Sequence, residues 1–197
     1  FDDNFIEKIL RKYSIKYRKL KSPEKNAARM IADGKIIAWF QGRLEYGDRA
    51  LGNRSILADP RDESMKDKIN ASIKYREPFR PFAPAVLNEK AKYYFENHLP
   101  TPFMEKVYKV KKDVQKKIPA VTHIDGSGRI QTVDKKENPL FYSLIKEFEK
   151  ITQIPIVVNT SFNLKGEAMV CYPDDAIRTF FTSGLNALFI GSFLIEK

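Results

Sequence analysis

Apolar positions in the first twenty residues fall at Phe5, Ile6, Ile9, Leu10, Tyr13, Tyr17 and Leu20, with lysines between them. That is the spacing of one helical face, and it predicts an amphipathic helix read as a linker over residues 1–22. Ser22-Pro23-Glu24 supplies an N-cap and a first-turn proline for a second helix, which Asp33-Gly34 closes. Residues 35–40 and 154–159 are short apolar runs of strand composition, and residues 55–58 form a shorter one. Helical spacing returns over 62–74, 89–97, 139–152 and 173–182. Residues 78–87 carry three prolines and predict an edge or irregular strand. Residues 103–110 alternate as a strand, and 111–119 read as a charged loop. Residues 120–124 and 129–133, separated by Asp125-Gly-Ser-Gly128, predict a β-hairpin. Two closing strands flank Gly191. Helices and strands mix without strict alternation, so one α/β domain with a mixed, twisted sheet is expected over residues 23–197.

Composition narrows the class. The chain has 197 residues, 43% hydrophobic and 30% charged, enough for a sizeable core and too apolar for disorder. No apolar run approaches the roughly 20 residues that span a bilayer, so no membrane partner is expected. One cysteine, Cys171, excludes an internal disulfide framework and a cysteine-based zinc site. His98 and His123 could at most contribute to a metal site, and no metal ligand is assigned. The chain starts at phenylalanine without a basic-then-apolar leader, which leads to the expectation of an excised or processed part of a cytoplasmic protein.

The net charge of +10 favours anionic partners such as phosphates, nucleotides or RNA. Most of the excess sits in residues 1–35 and 105–118, where lysines on solvated faces explain it equally well. Arginines within residues 43–80 stand among glycine, asparagine and proline, where solubility explains less.

Four stretches carry candidate chemistry. Residues 41–55 form a glycine-rich loop after a buried strand, holding Arg43, Arg49 and Arg54; glycines let backbone N–H groups approach an anion, and arginine forks suit phosphate. No Gly-Lys-Ser/Thr ends the loop, so it is not a Walker loop. In residues 70–84, Lys74, Arg76 and Arg80 cluster beside rigid prolines. At the expected hairpin tip, His123, Arg129 and Gln131 would share one face. The strand 154–159 runs into Asn159, Thr160, Ser161 and Asn163, polar groups at a strand end where α/β sheets gather ligands. Each stretch has a plainer reading as ion pairs, turns and caps. From the residues alone, the site is an anion or nucleotide site on an α/β domain.

A resemblance sharpens this. Residues 34–61, Gly-Lys-Ile-Ile-Ala-Trp-Phe-Gln-Gly-Arg-Leu-Glu-Tyr-Gly-Asp-Arg-Ala-Leu-Gly-Asn-Arg-Ser-Ile-Leu-Ala-Asp-Pro-Arg, closely resemble the C-terminal domain of the O-carbamoyltransferases of nodulation-factor and antibiotic biosynthesis. Residues 79–84, 122–133, and 158–163 with 167–170 resemble further motifs of that family in the same order. One departure is Asp48, where the family pattern Gly-Pro-Arg-Ala-Leu-Gly has proline.

The resemblance implies a YrdC-like twisted mixed sheet flanked by helices, as in threonylcarbamoyl-adenylate synthases. It implies binding of ATP with Mg²⁺ and of carbamoyl phosphate, with formation of carbamoyl adenylate. It also implies an N-terminal actin-like ATPase-fold domain in the parent chain, holding an iron site and passing the carbamoyl group to a hydroxyl. Lys74, Arg76 and His123 are then the expected catalytic residues. Arg43, Arg49, Arg54, Arg80, Arg129, Asn159, Thr160, Ser161 and Asn163 are the expected substrate and nucleotide contacts. The alternative is a YrdC-like RNA- or nucleotide-binding module without transferase activity.

Overall fold

The apolar runs become strands of one mixed sheet. The computed structural model describes residues 1–75, 77 and 80–197. Its strands in chain order are β1 (Arg18–Lys19), β2 (Ile37–Phe40), β3 (Arg54–Ala58), β4 (Ala83–Leu87), β5 (Val107–Lys109), β6 (Ser127–Arg129), β7 (Gln131–Val133), β8 (Ile156–Ser161), β9 (Ala187–Ile190) and β10 (Phe193–Glu196). Eight of them form one sheet in the order β1-β10-β9-β2-β3-β8-β4-β7, and β5 pairs with β6 apart from it. β2 runs parallel to β9 and β4 to β7, while the other neighbours are antiparallel.

β2, β3 and β4 are buried at every residue, which is why they read as continuous apolar runs rather than alternating ones. Helices cover them. α2 (Pro23–Ala32) and α4 (Pro139–Thr152) pack on each other, α2 over β2 and β3 and α4 over β8 and β4. Ala27, Ala28 and Ile31 of α2 and Phe141, Leu144, Ile145 and Phe148 of α4 supply the buried stripes. Burying one such large apolar side chain is worth about 1.5–3 kcal/mol. α1 (Asp3–Lys12) packs on α5 (Pro173–Phe181), which lies against β2 and β9. Asn138 starts α4 by accepting from the Phe141 N–H at 3.1 Å, and Pro139 holds its first turn. No helix among the described residues is long and apolar enough to cross a membrane.

Three expectations differ from what is found. The helix predicted over the first twenty residues stops at Lys12, because Ser14 turns left-handed at φ 53° and the Ile15 N–H bonds back to the Leu10 carbonyl at 2.9 Å. Residues 1–22 are packed into the domain rather than leading to it. Ile6, Ile9 and Leu10 join the core, and β1 pairs with β10.

The proline-rich strand is internal, not an edge: β4 lies between β8 and β7. Pro84 is tolerated because β7 pairs only from Ala85 onward, so Pro84 has a ladder neighbour on one side alone.

The hairpin does not form. Pro119–Val121 make a 3-10 turn, and the Ala120 N–H bonds to the Pro60 carbonyl at 3.1 Å. β6 takes its antiparallel partner from β5 instead.

Candidate functional site

Register brings the polar motifs to one end of the sheet. Phe40 faces Arg54, Ser55 faces Ser161, Asn159 faces Ala83, and Ala85 faces Gln131. The C-terminal ends of β2 and β8 therefore meet the N-terminal ends of β3, β4 and β7, where open α/β sheets bind ligands.

The loop between β2 and β3 is wound around Glu45. Its Oε1 accepts from the backbone N–H of Leu51 at 2.8 Å, Asn53 at 2.7 Å and Arg54 at 3.3 Å. Below the loop, the Arg54 guanidinium donates to the carbonyls of Gln41 at 2.7 Å, Asn53 at 3.0 Å and Gly42 at 3.3 Å. It also stacks 3.5 Å from the Phe40 ring centroid. Burial lowers its pKa, with Glu45 opposing. Arg54, expected on phosphate, is thus 1% exposed and tied to the backbone of its own loop. Gly52 has φ +104°, and a Cβ there would lie 2.5 Å from Phe141 Cγ, so only glycine seats this loop on α4. Arg43 stands exposed on the loop and lines none of the cavities described here.

Arg49, Arg80, Arg129 and His123 converge on a cleft of about 320 Å³ floored by Pro81, Phe82 and Ala83. A recess of about 90 Å³ adjoins it, where Arg49 and Arg129 meet Asn159, Thr160 and Ser161. Burial and the neighbouring Arg49 both lower the Arg129 pKa, with Asp48 opposing. Two guanidiniums that repel one another in a half-closed recess favour an anion between them. The nearest counter-charges are at the rim: Asp48 is 3.5 Å from Arg49, and Glu77 is 3.1 Å from the Arg80 Nε.

His123 stands between this cleft and a mostly apolar cavity of about 340 Å³ lined by Pro81, Ala120 and Ile124. The Ser127 hydroxyl donates to Asp125 Oδ1 at 2.6 Å, because a carboxylate can only accept. Ser127 Oγ therefore accepts from His123 Nδ1 at 3.1 Å, which places the neutral ring's proton on Nδ1. Nε2 is buried, has no hydrogen-bond partner among the described residues and is left as a bare acceptor. Burial lowers the His123 pKa; Asp125 opposes and Arg129 assists.

α3 (Met65–Ile69) continues into a π-helical turn, Asn70–Lys74, that Tyr75 ends at φ 45°. Such turns re-aim side chains. Lys74 Nζ reaches the Ser161 carbonyl at 2.6 Å, Ser161 Oγ at 3.2 Å, Asn163 Oδ1 at 2.7 Å and the Asn163 carbonyl at 3.1 Å. Ser161 Oγ donates to Asn163 Oδ1 at 2.7 Å. Lys74, Ser161 and Asn163 are thus one cluster under the recess, which Ser161 alone of the three lines. Arg76 lies outside the described residues.

Of the expected residues, Arg49, Arg80, Arg129, His123, Asn159, Thr160 and Ser161 share the connected cleft and recess. Sequence reasoning missed Met104, which lines the recess from a left-handed position at φ 57°, and Glu45, which organises the loop. Met104 lies in the run 103–110 that alternates as a strand, a pattern that marks burial but not a place in a site. Glu45 lay within the arginine-rich stretch, where a carboxylate among glycines can serve as a backbone N–H acceptor.

Comparison with known proteins fits this geometry. The family model "Carbamoyltransferase C-terminus" matches residues 28–197. Nodulation protein NolO of Bradyrhizobium diazoefficiens is 49% identical over 177 residues, covering 87% of this chain and 32% of that protein. Nodulation protein U of Azorhizobium caulinodans is 42% identical over 149 residues, covering 76% of this chain and 26% of that protein. An uncharacterised protein of Methanocaldococcus jannaschii, MJ1058, is 48% identical over 171 residues, covering 87% of this chain and 28% of that protein. The chain spans about a quarter to a third of the length of these curated relatives. Among solved structures, full-length HypF in its phosphate- and nucleotide-bound form superposes with a TM-score of 0.64 at 17% identity, covering 88% of this chain and 25% of that chain. Pyrococcus abyssi Sua5 complexed with L-threonine gives 0.61 at 14% identity, covering 88% and 47%. These likenesses make the fold YrdC-like. With a family model matched over most of its length and relatives near half identity, the chain belongs to the carbamoyltransferases, as their C-terminal domain.

Proposed function

We propose that this domain binds ATP and carbamoyl phosphate and joins them as carbamoyl adenylate, which the remainder of the parent protein uses to carbamoylate a hydroxyl. The observation that carries the reading is the convergence of Arg49, Arg80 and Arg129 beside the polar end of β8. Two polyanions must be brought together, and positioning with charge stabilisation carries most chemistry of this kind. The structural neighbour HypF was captured with phosphate and nucleotide, which supports an anion site on this fold.

Water first hydrolyses carbamoyl phosphate: its C–O–P linkage breaks, inorganic phosphate leaves and carbamate remains. A carbamate oxygen then attacks the α-phosphorus of ATP, and pyrophosphate leaves. In this reading Arg49, Arg80 and Arg129 hold the phosphates through both steps. Thr160 and Ser161 hydrogen-bond at the strand end, and the Lys74 ammonium holds Ser161 and Asn163 in place. His123 lines the cleft, and its buried, unprotonated Nε2 is the acceptor available for a proton from water or substrate. Mg²⁺ would enter on the nucleotide's phosphates; among the described residues no group of three or more His, Cys, Asp or Glu is placed to retain it.

The test is carbamoyl-phosphate-dependent exchange of labelled pyrophosphate into ATP, alongside calorimetry with ATP. Saturable, adenine-selective binding and exchange are expected. The competing reading is RNA binding. It would show instead as affinity that falls steeply with salt and tolerates many sequences, with no exchange.

A further inference from the structure

Asn159 is 1% exposed and lines the recess together with Arg49, Arg129 and Asp48. Its Nδ2 donates to the Ala50 carbonyl at 3.0 Å and to Gln131 Oε1 at 2.8 Å. Gln131 is itself fixed, because its Nε2 donates to the Leu51 carbonyl at 2.9 Å. Backbone carbonyls only accept, so neither amide can flip without facing oxygen against oxygen. Asn159 Oδ1 is consequently fixed in orientation; it is buried behind the recess that Asn159 lines, and among the described residues it has no hydrogen-bond partner. An orphaned buried acceptor costs free energy until a donor reaches it.

We propose that Asn159 is the specificity-determining residue for the carbamoyl nitrogen, and that Gln131 is the positioning residue that fixes its amide. This deepens the function proposed above and rests on it. The recess offers cations for an anion and, besides the Asp48 carboxylate paired with Arg49, one fixed acceptor that cannot donate. A ligand that satisfies it carries a hydrogen-bond donor close to its phosphate. In carbamoyl phosphate the amino group is separated from the phosphate by one carbon and the bridging oxygen. The amine of a purine lies beyond a ribose from its phosphates, too far to share this recess with both arginines. Acetyl phosphate has the same shape as carbamoyl phosphate but puts a methyl group against Oδ1, leaving the acceptor desolvated and unpaired.

The experiment measures, by calorimetry on the 197-residue chain, affinities for carbamoyl phosphate, acetyl phosphate and inorganic phosphate. The native chain should prefer carbamoyl over acetyl phosphate by about tenfold to a hundredfold, the worth of one buried hydrogen bond. Asn159→Ala should bring that ratio close to one; inorganic phosphate, measured in the same variant, reports any loosening of the Ala50 backbone beside Arg49 and leaves the ratio as the readout. Gln131→Met, which frees the amide without removing it, should reduce the ratio in part and also leave inorganic phosphate unchanged. Equal affinities in the native chain would overturn the inference, as would a ratio that survives Asn159→Ala. A loss of preference for ATP over ITP in that variant would assign Oδ1 to adenine and overturn it too. If Asn159→Ala fails to fold, an unchanged ratio in Gln131→Met is decisive against the inference. Native chain that binds inorganic phosphate but not carbamoyl phosphate would defeat the proposed function itself, and this inference with it.

Discussion

The ammonium of Lys74 lies 2.7 Å from Asn163 Oδ1 and 2.6 Å from the Ser161 carbonyl, so a π-helical turn is bolted to the end of β8 across more than eighty residues of chain. A buried cation with several oxygen partners cannot be removed cheaply. Lys74→Met should lower stability by about 1–3 kcal/mol, the cost of stranding buried polar partners. It should also weaken ATP and carbamoyl-phosphate binding by displacing Ser161. Lys116→Ala, at an exposed position, should stay within about 0.5 kcal/mol. Denaturant unfolding and calorimetry on the two variants check both statements.

Arg129 should dominate anion binding. Arg129→Ala is expected to weaken inorganic phosphate and ATP by about tenfold to a hundredfold, the range of a charge-assisted hydrogen bond. Arg43→Ala, on the exposed part of the loop between β2 and β3, should have little effect. Equal losses in the two variants would mean that general surface charge, not the recess, holds the anion.

Asp48 stands at the cleft rim, where it pairs with Arg49 at 3.5 Å and offsets the charge felt by Arg129. Asp48→Asn should tighten phosphate binding by about twofold to fivefold, the scale of an exposed ion pair. The gain should fade as salt rises toward the molar range. Weaker binding in Asp48→Asn would show that the carboxylate orders Arg49 rather than competing for it.

His123 predicts a pH signature. Burial holds its pKa below the ordinary value of 6.5, Asp125 opposes and Arg129 assists. Above that ordinary value the ring is neutral both folded and unfolded, so it contributes no pH dependence. As pH falls below it, the unfolded chain takes up a proton that the folded chain refuses, and stability declines until the folded value is reached. His123→Gln should remove that part of the decline, read as melting temperature between pH 7.5 and 5.5 in both proteins. A decline of the same size in His123→Gln would place its origin elsewhere.

Gly52 should be intolerant of any side chain. Its φ of +104° strains an L-residue, and the Phe141 ring occupies the space a Cβ needs. Gly52→Ala should cost about 2–5 kcal/mol by summing backbone strain and overpacking. It should also loosen the loop that carries Arg49. Thermal unfolding measures the first effect and phosphate affinity the second.

The sheet was legible where burial on both faces left no choice of residue. Ile37–Phe40 and Ile156–Val158 are apolar at every position, and such runs announce strands without any knowledge of their neighbours. β6 was misread because its partner is Val107–Lys109, not the residues just before it. The chain from Asp2 to Leu20 was misread because helical spacing carries on past Ser14, whose left-handed turn leaves no mark in the apolar pattern. The site shows the same division. Arg49, Arg129 and Asn159 were legible as polar groups next to strand ends. Arg54 and Lys74 were legible as cations, but not as cations turned toward their own backbone, because backbone carbonyls carry no sequence label. The Asn159–Gln131 lock depends on where Ala50 and Leu51 place their oxygens, which only the folded loop decides.

β2 and β9 run side by side in the middle of the sheet, Ile37 against Ala187 and Phe40 against Ile190. During synthesis, at about 5–20 residues per second, β2 emerges long before the strand that must cover its open edge. For several seconds the nascent chain displays an all-apolar edge with unpaired backbone groups, the kind of surface that recruits stray strands. Such long-range parallel pairing also makes folding slow. A cleft assembled from distant segments therefore brings a translation interval in which β2 waits uncovered, and the yield of folded protein depends on that interval as well as on final stability.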